Sequence, residues 1–338
     1  MKKALASILT LILVFSLAAC TSDSGSGQGS SGAASASSSA VSSASSEPAS
    51  NGSSSEEAAE TGETRTVQTV KGAVEIPANP QKIVSDYYLG EFLALDVKPI
   101  IASPYSLNNP FLEGMTDGIE SLNITSAETS LEMITAAEPD LIVTLSEADY
   151  DNYSKIAPTV LILDGEQSPE ERFHFIGELL GKKDEAVAYT DAFKARALEV
   201  KDEIAGIVGE RTVSFIEVWP SEIYVMGSHF ARGGSILFDL WELKAPEKVQ
   251  TEMVDGDTQY DTVSLEVLPD YAGDFVFYST LSGADNGFLM ESAVWQNLPA
   301  VKSGLTKEYE QVAFMHTDPI TLNGQLDYYI DYFRSLEG

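Results

Sequence analysis

The 338-residue sequence predicts an α/β protein made of two similar lobes, each with a central, mostly parallel sheet flanked by helices. One observation is an internal repeat: residues 130–143 and 264–277 both begin with Ser-Leu-Glu and reach an aspartate and an apolar strand at the same spacing. A second is a weaker match between residues 92–99 and 237–244 upstream of it. A third is a long helical pattern between the two halves. We therefore expect one long linker helix to join the lobes and a ligand groove to lie between them.

The N-terminal lobe is predicted to span residues 67–182. Apolar runs bounded by turn-forming residues predict its strands, at residues 82–85, 98–102, 141–145 and 159–163. Helical segments lie between these strands, near residues 90–95 and in the first Ser-Leu-Glu segment. Because strands that alternate with helices form parallel βαβ units, we expect a parallel sheet in this lobe.

A well-marked helix start precedes the linker. Ser168, Pro169 and Glu171 supply a cap, a first-turn proline and a first-turn acid, and this helix ends before Gly181. The linker helix is predicted over residues 183–208. Apolar residues recur there at steps of three or four, namely Ala186, Tyr189, Phe193, Ala197, Val200, Ile204 and Ile207. One stiff helix of this length predicts limited closure of the lobes on ligand binding.

The C-terminal lobe is predicted over residues 209–338. Residues 212–226 predict a hairpin with a Pro-Ser turn. The loop at residues 227–235, Gly-Ser-His-Phe-Ala-Arg-Gly-Gly-Ser, then opens a short helix. The remaining predicted elements are a buried strand at 274–279, a turn and helix at 295–302, a strand at 311–315 and a final helix from residue 322.

The start of the chain predicts an exported and anchored protein. Two lysines precede an apolar stretch that is short for a bilayer span, so residues 1–19 are predicted to be a signal peptide. Small residues lead to Cys20 in a pattern that resembles the bacterial lipobox, so we expect lipidation there; an uncleaved anchor helix is the alternative. A lone cysteine excludes an internal disulfide. The Ser, Gly and Ala composition of residues 20–66 predicts a disordered tether on the extracellular face of the cell membrane.

Charge and motifs limit the function. The formal net charge is −32, and removal of Lys2 and Lys3 takes the mature chain to about −34. Such a chain lacks the basic face that nucleic acid requires, and it repels anionic ligands unless local cations intervene. The sequence has no nucleophile elbow, no zinc-protease helix and no phosphate loop. We therefore expect a monomeric binding protein and not an enzyme; a secreted hydrolase is the less favoured alternative.

Four phrases carry a family resemblance, at residues 76–84, 138–142, 156–160 and 295–302. Their order and spacing resemble the helical-linker (class III) ABC-transporter substrate-binding lipoproteins of the iron-siderophore type, over essentially everything after the tether. The loop at 227–235 and Asp-Pro-Ile-Thr-Leu at 318–322 are most similar to ferric hydroxamate-binding lipoproteins of Gram-positive bacteria. The resemblance implies that the chain captures a ferric siderophore and delivers it to the permease subunits of an importer.

The resemblance also implies roles for single residues. Glu132 and Glu266 match the pair that docks onto arginines of the permease, one from each lobe. Two aromatic positions of the hydroxamate-binding subgroup are occupied here by Met226 and Met315. The usual Leu-Gly ending of the C-lobe helix is replaced by Trp-Glu at residues 241–242.

The residues themselves predict a binding site at the same place. Arg232 matches the family's siderophore-binding loop arginine, and its guanidinium can present several donors to ligand oxygens; a surface arginine that caps the loop is the alternative. Phe230, Trp219, Tyr87 and Tyr88 are predicted groove walls, with core packing as the alternative for each. Tyr87 and Tyr88 follow a strand directly, at the strand end where open α/β sheets bind ligands.

Charge favours a hydroxamate among the ferric chelates. A ferric tris-catecholate is triply negative and ferric citrate complexes are also anionic, whereas a ferric tris-hydroxamate core is neutral. The predicted groove loops contain Arg232 and little else that is basic, so we expect a hydroxamate, with no resident cofactor and no metal bound directly by the protein. Haem is the alternative ligand, because His229, His316, Met226 and Met315 lie in C-lobe loops or strand ends and both residue types ligate haem iron.

Overall fold

The computed structural model describes residues 63–281 and 285–337. The first half contains an antiparallel hairpin and a five-stranded parallel sheet in the order β5-β4-β3-β6-β7. The strands are β1 Thr64–Thr69, β2 Gly72–Pro77, β3 Ile83–Ser85, β4 Ile101–Ala102, β5 Glu120–Ser121, β6 Leu141–Thr144 and β7 Thr159–Leu161. The helices are α1 Leu89–Ala94, α2 Pro104–Leu107, α3 Ala127–Ala137, α4 Glu147–Tyr153 and α5 Pro169–Leu179, with a 3-10 turn at Pro110–Leu112.

The second half contains a mixed five-stranded sheet. Its strands are β8 Val213–Trp219, β9 Glu222–Met226, β10 Tyr260–Val263, β11 Phe275–Thr280 and β12 Thr306–Glu308. Strand β9 is antiparallel to its neighbours β8 and β10, whereas β11 is parallel to β8 and β12.

The helices that connect the halves and flank the second sheet follow the chain order. They are α6 Lys183–Glu199, α7 Lys201–Val208, α8 Glu247–Val249, α9 Gly287–Met290, α10 Ala293–Asn297, α11 Pro299–Lys302, α12 Gln311–Phe314 and α13 Pro319–Arg334. Two π-helical turns, Ser235–Leu240 and Gln250–Val254, and 3-10 turns at Leu268–Asp270 and Ser335–Glu337 complete the second half. Within the described part of the chain, no helix is both long enough and apolar enough to cross a membrane.

The predicted duplication is confirmed by the sheets. The second sheet has the order β10-β9-β8-β11-β12, which repeats the order of the first sheet strand for strand. The repeated aspartates have the same contact in both lobes. Asp140 accepts the backbone N–H groups of Gln81 and Lys82 at 2.7 and 2.9 Å, just before β3, and Asp274 accepts the N–H of Thr212 at 2.9 Å, just before β8. Each aspartate therefore connects the start of its own strand, β6 or β11, by hydrogen bonds to the start of the central strand of the same sheet, β3 or β8.

The weaker upstream repeat is shifted by one residue. Helix α1, which follows β3, and the helical turn Ser235–Leu240, which follows β9, are both followed by a residue with positive φ, Asp96 (56°) and Glu242 (55°), whereas an ungapped match pairs Asp96 with Trp241. The π-helical turn Ser235–Leu240 supplies the extra residue, because such a turn holds one more residue than an α-helical turn. The position of Glu242 favours glycine, which explains why a Leu-Gly ending is usual there.

The predicted single linker helix is divided in two at Val200, where the backbone departs from ideal α-helix values (φ −101°, ψ −2°). In a continuous helix the carbonyl of Ala197 would accept the N–H of Lys201. Here it accepts the indole N–H of the buried Trp241 at 2.8 Å. The break therefore attaches the linker to the C-terminal lobe by a side chain that helical periodicity does not reveal.

Two further boundaries differ from the predictions. Strand β1 begins at Thr64, so residues 64–66, which were assigned to the tether by composition, belong to the folded body. The predicted strand at residues 311–315 is wrong, because Gln311–Phe314 is a helical turn and the edge strand of the sheet is β12. Four residues are too few for periodicity to separate a helix from a strand.

Helix α13 contacts both lobes. Its C-terminal half packs in the core of the C-terminal lobe through Tyr329 and Phe333. Its N-terminal half lies against the N-terminal lobe, where Asn109 donates a buried hydrogen bond to Thr321 at 2.6 Å. The lobes are therefore joined by this helix as well as by the linker.

Candidate ligand-binding site

The site lies where the carboxyl ends of both central strands meet. Tyr87 follows β3, Tyr105 follows β4, and Trp219 is the last residue of β8. In open α/β sheets, ligands bind outside the carboxyl ends of the strands next to the point where strand order reverses, which is β3 and β8 here. The topology therefore places the sequence-predicted residues of both lobes in one region.

A narrow crevice separates the lobes in this region. The N-terminal lobe lines it with Tyr87, Glu91 and Arg172, and the C-terminal lobe with His316 and Asp318. Its free volume is about 10 Å³, which is room for about one water molecule. A drug-sized ligand needs a pocket of roughly 300–1,000 Å³. A chelate must therefore bind against the surface outside the crevice or between lobes that are further apart.

Arg232 is buried and held by a carboxylate. It has a left-handed backbone conformation (φ 58°) and is 5% exposed. Its Nε and one terminal nitrogen each donate to Glu217 at 2.8 Å, and its guanidinium carbon lies 4.9 Å from the centre of the Phe230 ring. A guanidinium has five N–H donors, and this fork uses two of them. The predicted binding residue is thus oriented before any ligand arrives.

Glu217 connects the surrounding elements of the C-terminal lobe. Its oxygens accept six side-chain hydrogen bonds, two from Arg232 and one each from Trp219, Ser279, Tyr309 and Gln311. Burial by itself raises the pKa of Glu217, but its hydrogen bonds and the charge of Arg232 outweigh burial and hold the pKa below its ordinary value. The carboxylate is therefore charged at neutral pH. Nothing in the sequence around Glu217 indicated this role.

A second buried arginine lies on the N-terminal side. Nε of Arg172 donates to Glu91 at 2.9 Å, and a terminal nitrogen donates to Thr317 of the other lobe at 2.9 Å. Its guanidinium carbon lies 5.3 Å from the ring centre of Tyr88. The sequence pattern does not indicate a role for Arg172, because it lies inside an amphipathic helix, where an arginine is ordinarily solvated.

A row of aromatic rings forms the C-lobe wall. Neighbouring ring centres are 5.6 Å apart for Trp219 and Tyr224, 5.9 Å for Tyr224 and Tyr260, and 4.4 Å for Tyr260 and Phe230. Tyr260 is 46% exposed, and the other three are partly accessible. Trp219 and Phe230 were predicted; Tyr224 and Tyr260 were not, although alternation along β9 and pairing with β10 put them on one face. Such a surface suits the alkyl and amide parts of a chelate.

The two predicted tyrosines of the N-terminal lobe have different environments. Tyr87 is half-buried, lines the crevice and lies 5.9 Å from the ring of His316. Tyr88 also borders the crevice, so its role as a groove wall stays a prediction. It is 1% exposed, its hydroxyl donates to the carbonyl of Ile162 at 2.6 Å, and it packs in the N-lobe core. Of the two tyrosines, Tyr87 is therefore the more accessible.

The four candidate haem ligands do not share one environment. Met226 is 1% exposed and packs in the C-lobe core, so its assignment to the site is wrong. His229 is exposed and lies near Ser228 and Asp239, with ring-nitrogen distances of 2.9 and 3.8 Å. His316 lines the crevice and Met315 is half-buried beside it in sequence. Among the described residues, no group of three or more His, Cys, Asp or Glu side chains is placed to hold a metal ion.

The predicted docking glutamates are both exposed. Glu132 lies on α3 beside a surface hollow of about 430 Å³ that is lined by Leu131 and Ala136. Glu266 does not lie on an α-helix as predicted; it lies in a turn that leads into the 3-10 turn Leu268–Asp270. Cys20, the predicted lipidation site, lies outside the described residues.

Comparison with known proteins gives the family. The family model for periplasmic binding proteins matches residues 87–312. The iron(3+)-hydroxamate-binding proteins FhuD and YxeB of Bacillus subtilis (strain 168) are 33% and 32% identical, over 97% of this chain in both cases and over 96% and 95% of those proteins.

A solved structure supports the same relationship. The crystal structure of a periplasmic binding protein component of a Fep/Fec-like ferrichrome ABC transporter from Bacillus subtilis is 32% identical, with a TM-score of 0.74. The match covers 79% of this chain and 99% of that chain. The similarity thus includes the sequence, both lobes and the elements that carry Arg232 and Glu217, and the chain belongs to the periplasmic binding protein family.

Proposed function

We propose that the protein is the extracellular binding component of an ABC importer and that it captures a ferric hydroxamate siderophore. The similarity to FhuD, YxeB and the ferrichrome transporter component supports this proposal. The observation that carries it is Arg232, whose guanidinium Glu217 fixes over the Phe230 ring at one end of the aromatic row. Hydroxamate oxygens accept hydrogen bonds from guanidinium N–H groups, and the aromatic rings pack against the carbon chains of the chelate.

We also propose how the protein is held at the membrane and delivers its ligand to the permease. Lipid on Cys20 anchors the chain, residues 20–62 act as the tether, and the folded body works as a monomer. Glu132 and Glu266 dock onto the permease, one from each lobe. The iron arrives inside its chelate as cargo, so the protein needs no resident cofactor.

Titration of intrinsic fluorescence with ferrichrome, ferrioxamine B, a ferric tris-catecholate and haem tests the ligand class. We expect the two hydroxamates to bind at least about tenfold more tightly than the tris-catecholate, a difference of about 1.4 kcal/mol. Because Trp219 lies in the aromatic row, Trp219→Phe is expected to remove most of the quenching. Trp295→Phe, in the C-lobe core, is the control and is expected to retain it. Tighter binding of the tris-catecholate or of haem would refute the hydroxamate assignment.

A further inference from the structure

The site contains two buried arginine–glutamate pairs of the same kind. Arg232 and Glu217 are 5% and 1% exposed, and Arg172 and Glu91 are 6% and 3% exposed. Each arginine donates through Nε to its glutamate, at 2.8 and 2.9 Å. Each guanidinium also lies over an aromatic ring. One pair belongs to each lobe, although only the C-lobe arginine matches the family's ligand-binding loop.

Both pairs act on the same region of the protein. Arg172 and Glu91 line the interlobe crevice with Tyr87 and His316. Burial raises the pKa of Tyr87, and the charges of Arg172 and Arg232 both oppose that rise. Burial lowers the pKa of His316, the charge of Glu91 opposes this shift, and the same two arginines lower the pKa further. Tyr87 and His316 therefore both lie within the electrostatic reach of Arg172 and Arg232.

The charges of this region cancel. Each guanidinium contacts one glutamate, which opposes its charge. Burial raises the pKa of Glu91 and the nearby carboxyl group of Asp318 raises it further, whereas the charge of Arg172 opposes this rise. Of the described residues that line the crevice, Arg172 is the only one with a basic side chain apart from His316. Burial disfavours the charged form of His316. The site thus offers many N–H donors and no net positive charge.

We propose that Glu91 and Glu217 determine the charge specificity of the site, by cancelling Arg172 and Arg232 so that neutral ferric chelates bind and anionic ones are rejected. This inference rests on the proposed function. A ferric tris-catecholate carries three negative charges at the iron-binding oxygens, and its removal from water must be compensated by unneutralised cations. Since charges a few ångströms apart interact strongly at a partly buried site, loss of one carboxylate is enough to change the preference.

The test is the ratio of the dissociation constants of ferrichrome and a ferric tris-catecholate, measured for Glu91→Gln and Glu217→Gln. Glutamine keeps the shape of the side chain and removes its charge. We expect each change to shift the ratio toward the tris-catecholate by at least about tenfold. The matched control is Glu203→Gln. Glu203 forms the same bidentate fork with Arg334, at 2.6 and 2.8 Å, but on an exposed surface between α7 and α13. We expect that control to leave the ratio within about twofold.

Variants of the arginines test the same inference if a glutamine variant fails to fold. Arg172→Gln and Arg232→Gln leave a glutamate unneutralised, so they are expected to shift the ratio in the opposite direction. The double change Glu91→Gln with Arg172→Gln removes both charges and is expected to restore the original ratio. Circular dichroism establishes which variants are folded.

The outcomes separate the inference from the proposed function. If the unchanged protein binds ferrichrome but the folded variants keep its ratio, the specificity role of the glutamates is refuted and the function stands. The same holds if Glu203→Gln shifts the ratio as much as the site variants do. If the unchanged protein does not bind ferrichrome or ferrioxamine B, the proposed function itself is refuted.

Discussion

Asp86 is a carboxylate in the N-terminal lobe whose environment contrasts with that of Glu217. Both are partly or fully buried, yet Glu217 faces a guanidinium and Asp86 does not. Asp86 accepts hydrogen bonds from the hydroxyl of Thr144 and from the N–H of Leu145 at 2.9 Å. These bonds are too few to offset burial, which raises the pKa of Asp86 from 3.8 to about 6. A buried carboxyl group without a cation therefore lowers the stability of the protein at neutral pH.

The sign of the pH dependence follows from this shift. Between pH 4 and 6 the folded protein holds a proton on Asp86 that the unfolded chain has released, so stability falls as the pH rises through this range. Asp86→Asn is expected to abolish that fall and to raise the free energy of unfolding at pH 7 by at most about 3 kcal/mol. Urea unfolding at pH 4.5 and pH 7 measures both effects.

The control for Asp86 is a carboxylate with the same charge on the surface. Asp191 is exposed on α6, so Asp191→Asn is expected to change stability by less than about 0.5 kcal/mol at either pH. A loss of stability at pH 7 in Asp86→Asn would contradict the argument, because it would mean that the charged form is favoured in the folded protein.

At the scale of elements, α1 and α13 approach each other so closely that a residue with a Cβ atom does not fit at Gly90 without a shift of its neighbours. A Cβ atom at Gly90 would lie 2.1 Å from Cγ of Asp318, which caps the N-terminus of α13. The glycine lets the two helices from different lobes approach each other. Because Asp318 is buried and bonded to the backbone N–H groups of Ile320 and Thr321, it cannot move aside without losing the cap.

Gly90→Ala is expected to reduce the free energy of unfolding by about 1–3 kcal/mol, since the added methyl group overpacks a filled interface. The matched control is Gly206→Ala in α7, where a Cβ atom meets nothing within 4 Å. There the same change is expected to stabilise the protein by about 0.5–1 kcal/mol, because glycine weakens a helix interior. Urea unfolding compares the two variants. Equal effects at both positions would show that α1 and α13 are not in close contact.

At the scale of the whole molecule, duplication places one exposed glutamate on each lobe. Glu132 and Glu266 occupy equivalent positions eight residues before the paired aspartates Asp140 and Asp274. The local structure around them differs, since one lies on a helix and the other in a turn. Their common feature is an exposed position on similar lobes, and this is what docking onto a two-subunit permease requires.

The double variant Glu132→Ala with Glu266→Ala is expected to abolish uptake of ferric siderophore by cells while leaving the affinity of the purified protein unchanged. Neither residue contacts the crevice or the aromatic row, so ligand binding does not depend on them. The control removes two exposed glutamates of α6, Glu185 and Glu199, and is expected to retain uptake. Loss of ligand affinity in the first double variant, or loss of uptake in the control, would contradict a docking role.

The sequence by itself determined the two lobes, their parallel strands and most helix starts, because these depend on local patterns. The capping box at Ser168 and Glu171 is an example, since all of its partners lie within three residues. The same patterns predicted the wrong structure at Val200 and at residues 311–314. Near Val200 the helix is interrupted where a helix carbonyl accepts a hydrogen bond from a distant indole. The helical turn at residues 311–314 is too short to show a helical period.

Only the tertiary structure decided which residues form the site. Arg232 and Glu217 are separated by 15 residues, and Arg172 and Glu91 by 81, so no local spacing predicts either pair. Tyr87 and Tyr88 are identical and adjacent in sequence, yet Tyr87 is half-buried and Tyr88 packs in the core. The physical reason is that burial and charge pairing depend on contacts between strands and lobes, whereas the sequence pattern reports only which face of its own element a residue occupies.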